Sequence, residues 1–190
     1  MAIKKQLLIY VHGFGGSGFS NKGQILRSRF QNVASLSLPQ IPNLAIHNLE
    51  QFLQYMDRKE YDPVLVGSSL GGFYSIYIGE KYNLKTILIN PSIQPYLTAK
   101  NYIGMNKSFY DQSLYEWNTN HTDSLHQYEV QNIKDQAKYL LMLTTEDEIL
   151  DYRVALQKLP NAHKDIYEGG DHEYKILPQK LDVIQKFLKI

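Results

Sequence analysis

The sequence predicts a single α/β domain with a mainly parallel sheet of six strands, and three observations support this fold class. The chain has 190 residues, a length that suits one domain with a sizeable core. Short apolar runs alternate with helical patterns, as expected for successive βα units. No repeat, low-complexity tract or linker divides the chain. We therefore expect residues 1–190 to form one three-layer sandwich, with helices on both faces of the sheet.

The individual elements follow from local patterns. The six apolar runs that predict strands are residues 6–11, 33–38, 63–67, 86–90, 139–143 and 163–167. In residues 42–59 the apolar side chains recur at helical spacing. Residues 178–190 repeat this pattern, with Pro178 suited to the first turn of a helix. Asp151 is expected to be the N-cap of a helix over residues 152–158.

The segment between Asn90 and Lys138 is longer than one crossover helix requires. It is rich in aromatic residues and poor in aliphatic ones. It also follows a strand whose carboxyl end lies where parallel sheets place functional groups. We interpret residues 92–132 as a partial cap over a substrate pocket. The alternative is an elongated crossover whose aromatic side chains pack on the edge of the sheet.

The pentapeptide at residues 67–71, Gly-Ser-Ser-Leu-Gly, fits the Gly-x-Ser-x-Gly pattern of a nucleophile elbow. It lies between an apolar run and a helical segment, and small residues on either side of the serine let strand and helix approach closely. Ser69 has glycine at both required offsets, whereas a frame on Ser68 would need glycine in place of Val66. The pattern therefore predicts Ser69 as a nucleophile.

A serine nucleophile needs a base to accept its proton and a carboxylate to orient that base. His172 has the best context among the histidines that follow Ser69, because it lies in a glycine-bearing loop after the last predicted strand. Several carboxylates follow the fifth strand. Asp147 is the preferred acid because it stands a few residues past the strand and apolar residues follow it, while Glu146 and Glu148 remain alternatives.

A glycine-rich loop directly after the first strand, residues 12–17, is the predicted partner of Ser69. Two backbone N–H groups must stabilise the oxyanion of acyl transfer, and we expect these to belong to Phe14 and Leu70. The further candidates for the substrate pocket are His12, Gly13, Tyr96 and Trp117. The loop also has Gly-x-Gly-x-x-Gly spacing. Nucleotide binding is disfavoured, because the acidic residue about twenty positions on and the lysine of a P-loop are both missing.

Together these motifs resemble the α/β-hydrolase superfamily and, more narrowly, the small bacterial YqiA-like esterases. The matching stretches are residues 12–17, 67–74, 90–95, 147–152 and 169–172. The resemblance implies an α/β-hydrolase sheet in the order 2-1-3-4-5-6, the catalytic residues Ser69, Asp147 and His172, and a cytoplasmic carboxylic-ester hydrolase, with acyl thioesters as candidate substrates. The acid loop departs from the family, since Thr145 and Glu146 occupy the place of its usual glycine. This departure leaves the choice among the carboxylates open.

Composition and charge exclude several other classes. The formal charge of +1 and the absence of Lys/Arg runs argue against nucleic acid or an anionic membrane as the main partner. The chain has no cysteine, so thiol catalysis and disulfides are excluded. No signal-peptide pattern or membrane-spanning run is expected, which favours the cytoplasm. No cofactor is implied, and the spacing of His121 and His126 does not suit a metal site.

The sequence thus predicts a serine esterase that forms an acyl-enzyme on a small-molecule ester. The nearest rival is an acyl-CoA thioesterase, which would require basic residues at the mouth of the cleft, with Lys22, Lys100 and Lys107 as candidates. From a different class, the chain could be a hydrolase-fold binding protein without turnover, since fold alone does not establish activity. The physiological acyl group and the oligomeric state do not follow from the sequence.

Overall fold

The computed structural model describes residues 4–190, and its centre is a parallel sheet of six strands. The strands along the chain are β1 Lys5–Val11, β2 Val33–Leu36, β3 Tyr61–Ser69, β4 Lys85–Pro91, β5 Gly104–Lys107, β6 Leu114–Trp117, β7 Tyr139–Thr144 and β8 His163–Tyr167. The order across the large sheet is β2-β1-β3-β4-β7-β8, and its neighbouring strands pair in parallel. Counted within this sheet alone, the order is 2-1-3-4-5-6, which confirms the predicted topology.

The inner strands are covered on both faces, as parallel sheets require. Along β1, Leu8 and Tyr10 face one apolar cluster, whereas Ile9 and Val11 face another, because successive side chains of a strand point to opposite faces. The two edge strands are less buried than the inner ones. The core therefore lies in two layers, one on each side of the sheet.

Helices supply the outer layers. The helices along the chain are α1 Asn21–Arg29, α2 Pro42–Tyr55, α3 Leu70–Tyr82, α4 Pro95–Thr98, α5 Thr119–Ser124, α6 Tyr152–Lys158 and α7 Leu181–Leu188. Side chains of α2 and α3 pack on the Ile9 face, and those of α1 and α7 pack on the Leu8 face. The arrangement is the predicted three-layer sandwich. No helix within residues 4–190 combines the length and apolar character needed to cross a bilayer.

Several predicted boundaries differ from the structure by a few residues. Helix α2 ends at Tyr55 rather than at residue 59, and the predicted last helix begins as a 3-10 turn over Leu177–Lys180. Strand β3 continues to Ser69, beyond the predicted end at residue 67. The N-cap prediction is confirmed, because the Asp151 carboxylate accepts a hydrogen bond of 3.0 Å from the N–H of Arg153.

Residues 92–132, which we call the cap segment, form short elements outside the large sheet. They comprise α4, a 3-10 turn, an antiparallel hairpin of β5 and β6, α5 and a second 3-10 turn. Trp117 anchors the segment: its side chain is fully buried and its indole N–H donates to Thr122 Oγ1 at 2.8 Å. The hairpin loop contacts the glycine-rich loop after β1, since the N–H of Phe109 donates to the carbonyl oxygen of Gly15 at 2.9 Å.

Candidate active site

The turn between β3 and α3 holds Ser69 in a strained conformation at the carboxyl end of the sheet. Ser69 has φ 55° and ψ −122°, a region that L-residues rarely adopt outside functional turns. Both flanking glycines are sterically required. A Cβ on Gly67 would lie 2.4 Å from the carbonyl oxygen of Gly71, and a Cβ on Gly71 would lie 2.1 Å from that of Val11. This close contact between α3 and β1 leaves Ser69 at the point of the turn.

Three side chains from distant parts of the chain form one hydrogen-bonded row. His172 Nε2 lies 2.9 Å from Ser69 Oγ, and His172 Nδ1 lies 2.8 Å from Asp147 Oδ2. An ionised carboxylate only accepts hydrogen bonds, so Nδ1 carries the ring proton and Nε2 is left to accept the serine proton. The structure thus brings the predicted nucleophile, base and acid together in the geometry that proton transfer requires.

Asp147 is held as an anion by its hydrogen bonds. Its side chain is only 2% exposed, and burial by itself would raise the pKa of the carboxyl group. The hydrogen bond with His172 and the N–H groups of Leu150 and Ile149, at 2.8 and 2.9 Å, outweigh burial and lower the pKa of Asp147 below its ordinary value. The aspartate therefore remains ionised next to the imidazole.

The neighbouring carboxylates have other positions. Glu148 Oε2 accepts a hydrogen bond of 2.9 Å from the backbone N–H of His172, so it contacts the histidine loop rather than the ring. Glu146 lies near Gly169, and its N–H donates to that residue's carbonyl oxygen at 3.3 Å. Among the residues the structure describes, Asp147 is the carboxylate bonded to the imidazole of His172.

The glycine-rich loop lies against the serine. A Cβ on Gly13 would be only 3.0 Å from Ser69 Cβ, so glycine allows the loop to approach. Leu70 is the first residue of α3, and its N–H therefore has no acceptor within the helix. The N–H of Phe14 has no hydrogen-bond acceptor within residues 4–190. Both of the N–H groups predicted for the oxyanion hole are thus free to donate.

His12 fixes the backbone of this loop. Its ring is buried, Nδ1 lies 2.8 Å from the carbonyl oxygen of Gly13, and Nε2 accepts from the N–H of Leu38 at 2.9 Å. The Gly13 carbonyl and the Phe14 N–H belong to one planar peptide, so holding the first orients the second. Burial lowers the pKa of His12, although its bond to Gly13 acts in the opposite direction. The ring is therefore neutral, as its two hydrogen bonds require.

A cavity of about 620 Å³ opens over Ser69 and His172. Four of the predicted pocket residues, His12, Gly13, Phe14 and Leu70, line it. Sequence reasoning missed several aromatic side chains in its wall, namely Tyr10, Phe19, Tyr102, Phe109 and Tyr110. Four of them belong either to the loop after β1 or to the cap segment. The wall is therefore mainly apolar, with the polar row at its base.

Two predicted pocket residues, Tyr96 and Trp117, do not line this cavity, and those predictions are corrected. Trp117 is buried beneath Phe14, with the two rings edge to face and their centroids 5.0 Å apart. The Tyr96 hydroxyl donates to Glu129 at 2.9 Å, and its ring lies 4.0 Å from that of His126. Both side chains are used in packing the cap segment itself.

Asn90 is a buried residue whose contacts the sequence did not reveal. It lies at the end of β4 with φ 39°. Its carboxamide accepts from the N–H of Thr144 at 3.0 Å and donates to the carbonyl oxygens of Asp171 and His172 at 3.0 and 3.3 Å. One side chain therefore ties the end of β7, from which the Asp147 loop begins, to the loop that carries His172.

Metal ligands are not grouped in the described part of the chain, where no three His, Cys, Asp or Glu side chains lie close enough to hold an ion. His121 and His126 each have contacts of their own. His121 completes a capping box with Asn118 at the start of α5, whereas the ring of His126 packs on Tyr96.

Comparisons with known proteins agree with this architecture. A family model described as "Uncharacterised protein family (UPF0227)" matches residues 7–189. A UPF0227 protein of Vibrio cholerae is 22% identical over 187 residues, covering 95% of this chain and 98% of the relative. A UPF0227 protein of Vibrio parahaemolyticus is 25% identical over 190 residues, with the same coverage.

Solved structures show the same fold. Est1E from Butyrivibrio proteoclasticus with bound ferulic acid has a TM-score of 0.72 at 15% identity, covering 97% of this chain and 88% of its own. Mouse alpha/beta hydrolase domain-containing protein 10 has a TM-score of 0.71 at 17% identity, with 95% and 90% coverage. Tomato methylketone synthase I with 2-tridecanone has a TM-score of 0.70 at 14% identity, with 98% and 100% coverage. The predicted α/β-hydrolase fold is confirmed.

Protonation of His12 should destabilise the fold. Because the folded-state pKa is lowered, the unfolded chain binds a proton more readily, and stability is lost as pH falls through about 6.5 and below. We expect His12→Asn to lower the free energy of unfolding by about 1–3 kcal/mol at pH 7.5, and this deficit to shrink at pH 5. Urea unfolding at both pH values measures it. The control, His47→Asn at an exposed position of α2, should show little deficit; a deficit for His12→Asn that is equal at both pH values would contradict the argument.

Asn90 should affect catalytic rate as well as stability. Asn90→Ala removes the bonds that hold the histidine loop, so for the ester hydrolysis proposed below we expect kcat to fall about 10- to 100-fold with little change in KM. Asn83→Ala is the matched control, because Asn83 also has positive φ, at the end of α3, but its side chain bonds to Lys138 rather than to the histidine loop. It should lose stability and keep its kcat. Equal kcat values in the two variants would show that Asn90 does not position the site.

Proposed function

The chain belongs to the UPF0227 family, and from the site at Ser69 we propose that it is a serine hydrolase that cleaves acyl esters. The observation that carries the proposal is the row of Asp147, His172 and Ser69, with hydrogen bonds of 2.8 and 2.9 Å, whose Ser69 and His172 line a mainly apolar cavity. Such a row activates a serine that would otherwise be a weak nucleophile. The strained turn at Ser69 adds a second reason, because strain of this kind clusters at functional sites.

In the proposed reaction, His172 Nε2 takes the proton of Ser69 as Oγ attacks the ester carbonyl carbon. The ionised Asp147 stabilises the imidazolium that forms. The tetrahedral intermediate collapses when the bond to the alcohol breaks and His172 returns the proton to the departing oxygen. Water then repeats the two steps on the acyl-enzyme and releases the acid. These reaction steps need no cofactor.

The negative charge that develops on the carbonyl oxygen would be stabilised by the N–H groups of Phe14 and Leu70. Preorganised donors of this kind contribute a large part of the rate in acyl transfer. Leu70 directly follows the nucleophile, and the peptide that carries the Phe14 N–H is fixed by His12. The donors are therefore oriented before the substrate binds.

The substrate we propose has an apolar acyl group. The cavity of about 620 Å³ has aromatic side chains from the loop after β1 and from the cap segment, and apolar pockets bind ligands by burying apolar surface. Two structural relatives were solved with ferulic acid and with 2-tridecanone. Each ligand has an apolar part, an aromatic ring in the first and a hydrocarbon chain in the second, which favours a ligand with an apolar group here.

We also propose that residues 92–132 act as a partial cap within one domain that comprises residues 1–190. Pro95, Thr98, Ala99, Tyr102, Phe109 and Tyr110 of this segment line the cavity. A thioesterase is the second candidate, and one observation favours it: Lys22 lines the same cavity, although Lys100 and Lys107 do not. A binding protein without turnover would need the same cavity but not the hydrogen-bonded row.

Loss of the Ser69 hydroxyl should abolish ester hydrolysis. We expect Ser69→Ala to lower kcat by about 10⁴-fold or more, and a fluorophosphonate to modify the native protein at Ser69. Hydrolysis of 4-nitrophenyl butanoate and mass spectrometry of the labelled peptide measure the two effects. Ser68→Ala, a neighbouring substitution outside the row, should lose far less. A native protein that is neither labelled nor active would favour the binding protein.

The acid should be Asp147 and neither of its neighbours. Asp147→Asn removes the negative charge that fixes the His172 tautomer, so we expect kcat to fall by about 10³- to 10⁴-fold. Glu146→Gln and Glu148→Gln are matched amide controls from the same loop. These two substitutions should lower kcat much less, since neither carboxylate bonds to the imidazole. A near-normal kcat for Asp147→Asn would contradict this prediction and indicate Glu146 or Glu148 as the acid.

A further inference from the structure

Lys22 is a cation in the wall of the cavity that has no ionic partner among the residues the structure describes. It is partly buried at the start of α1 and lines the same cavity as Ser69 and His172. Within residues 4–190 it has no carboxylate within 4 Å and no hydrogen-bond acceptor. A partly desolvated ammonium group is costly unless an anion compensates it.

The carboxylates nearest to Lys22 already have other partners. Asp171 is paired with Lys175 at 2.7 Å, and Glu173 lies 3.8 Å from the same lysine. Glu148, which also lines the cavity, accepts from the N–H of His172. Burial lowers the pKa of Lys22, and the charges of Glu173 and Asp171 offset only part of this effect. A bound anion would stabilise the charged form directly.

Two hydroxyl groups, those of Tyr10 and Ser20, line the same cavity as this lysine, and Gly23, the residue after Lys22, lies against the Tyr10 ring. Ser20 directly precedes α1, and its Oγ lies 3.1 Å from the hydroxyl oxygen of Tyr10. Burial raises the pKa of Tyr10 to about 12, so its hydroxyl stays protonated. Ser20 donates its hydroxyl proton to the Tyr10 oxygen, which leaves the Tyr10 proton to be donated to a ligand. Lys22, Tyr10 and Ser20 all line the cavity.

Helix α1, which carries Lys22, contacts the 3-10 turn Leu177–Lys180 that follows the His172 loop. Lys22, His172 and Glu173 line the same cavity, so the lysine belongs to the wall next to the histidine loop. In acyl transfer the leaving group departs next to the histidine, because the histidine gives it a proton. We propose that the substrate carries an anionic group, a carboxylate or a phosphate, on its alcohol or thiol part, and that Lys22 binds this group with help from the hydroxyl pair of Tyr10 and Ser20.

This inference rests on the proposed function, and pairs of substrates that differ by one anionic group test it. The first pair is 4-(butanoyloxy)benzoate and 4-(butanoyloxy)benzamide, in which a carboxylate replaces an amide of similar shape. The second is S-butanoyl-4′-phosphopantetheine and S-butanoylpantetheine, which differ by one phosphate. The third puts the charge on the acyl side, with the 4-nitrophenyl esters of succinic acid and of succinamic acid. The quantity compared is the ratio of kcat/KM for the anionic member to that for the neutral member.

We expect the native protein to prefer the anionic member in the first or second pair and not in the third. In Lys22→Met this ratio should fall by about 10- to 30-fold, the size of a charge-assisted hydrogen bond. Lys22→Arg should retain most of the preference, and added NaCl should weaken it. Because both substrates of a pair are measured on the same variant, a general loss of activity lowers both kcat/KM values and leaves their ratio unchanged. Lys107→Met, at an exposed lysine of the hairpin outside the cavity, is the matched control and should keep the native ratio.

Four results would overturn the inference: no charge preference in the native protein, an unchanged ratio in Lys22→Met, a loss of the preference in Lys107→Met, or a preference confined to the third pair. These differ from failure of the proposed function. In that case the native protein would hydrolyse neither member of any pair. Hydrolysis that depends on Ser69 but shows no charge preference would reject the anion site alone.

Discussion

The contact between the start of α3 and the end of β1 is the constraint on which the site depends. Gly71 lies so close to the carbonyl oxygen of Val11 that any side chain would collide with it. This approach forces the chain to reverse sharply at Ser69, and the reversal accounts for the positive φ of that residue. It also leaves the N–H of Leu70 free at the helix start and brings Gly13 against the serine. The side-chain interactions of the candidate site thus all depend on this backbone contact between the start of α3 and the end of β1.

The remaining groups are held by buried polar side chains that do not themselves need to react. His12 uses both ring nitrogens on the backbone of the loop beside the serine, and Asn90 uses its carboxamide on two loops at the other side. Buried hydrogen-bond networks of this kind are rigid when they are fully satisfied. The row of Asp147, His172 and Ser69 therefore lies between two fixed supports, which limits the movement of the imidazole.

The sheet order and the row at Ser69 could be predicted because each depends on a local pattern. The elbow pattern requires glycine at fixed offsets from the serine. Loops that follow parallel strands all lie at the same edge of the sheet, so the loops of Ser69, Asp147 and His172 were expected to meet. The choice among Glu146, Asp147 and Glu148 was harder, because all three stand in one loop and only the backbone path decides which carboxylate meets the ring. Tyr96 and Trp117 were wrongly predicted to line the pocket, since aromatic content does not tell which face of a segment points inward. The role of Asn90 depends on three segments that meet only in the folded chain, and no spacing in the sequence indicates it.

The hydrogen bond between Phe109 and Gly15 has a consequence for how such a protein changes over time. The hairpin loop supplies aromatic side chains to the wall of the cavity, while the loop that holds Gly15 carries the Phe14 N–H next to the serine. The part that selects a ligand and the part that faces the reacting carbonyl are joined through their backbones. A substitution that reshapes the hairpin for a new ligand therefore also shifts the Phe14 N–H, the proposed oxyanion donor. Under the proposed function, selectivity and turnover are coupled traits of this protein, and variants that alter one without the other have to lie elsewhere in the wall, away from this hydrogen bond.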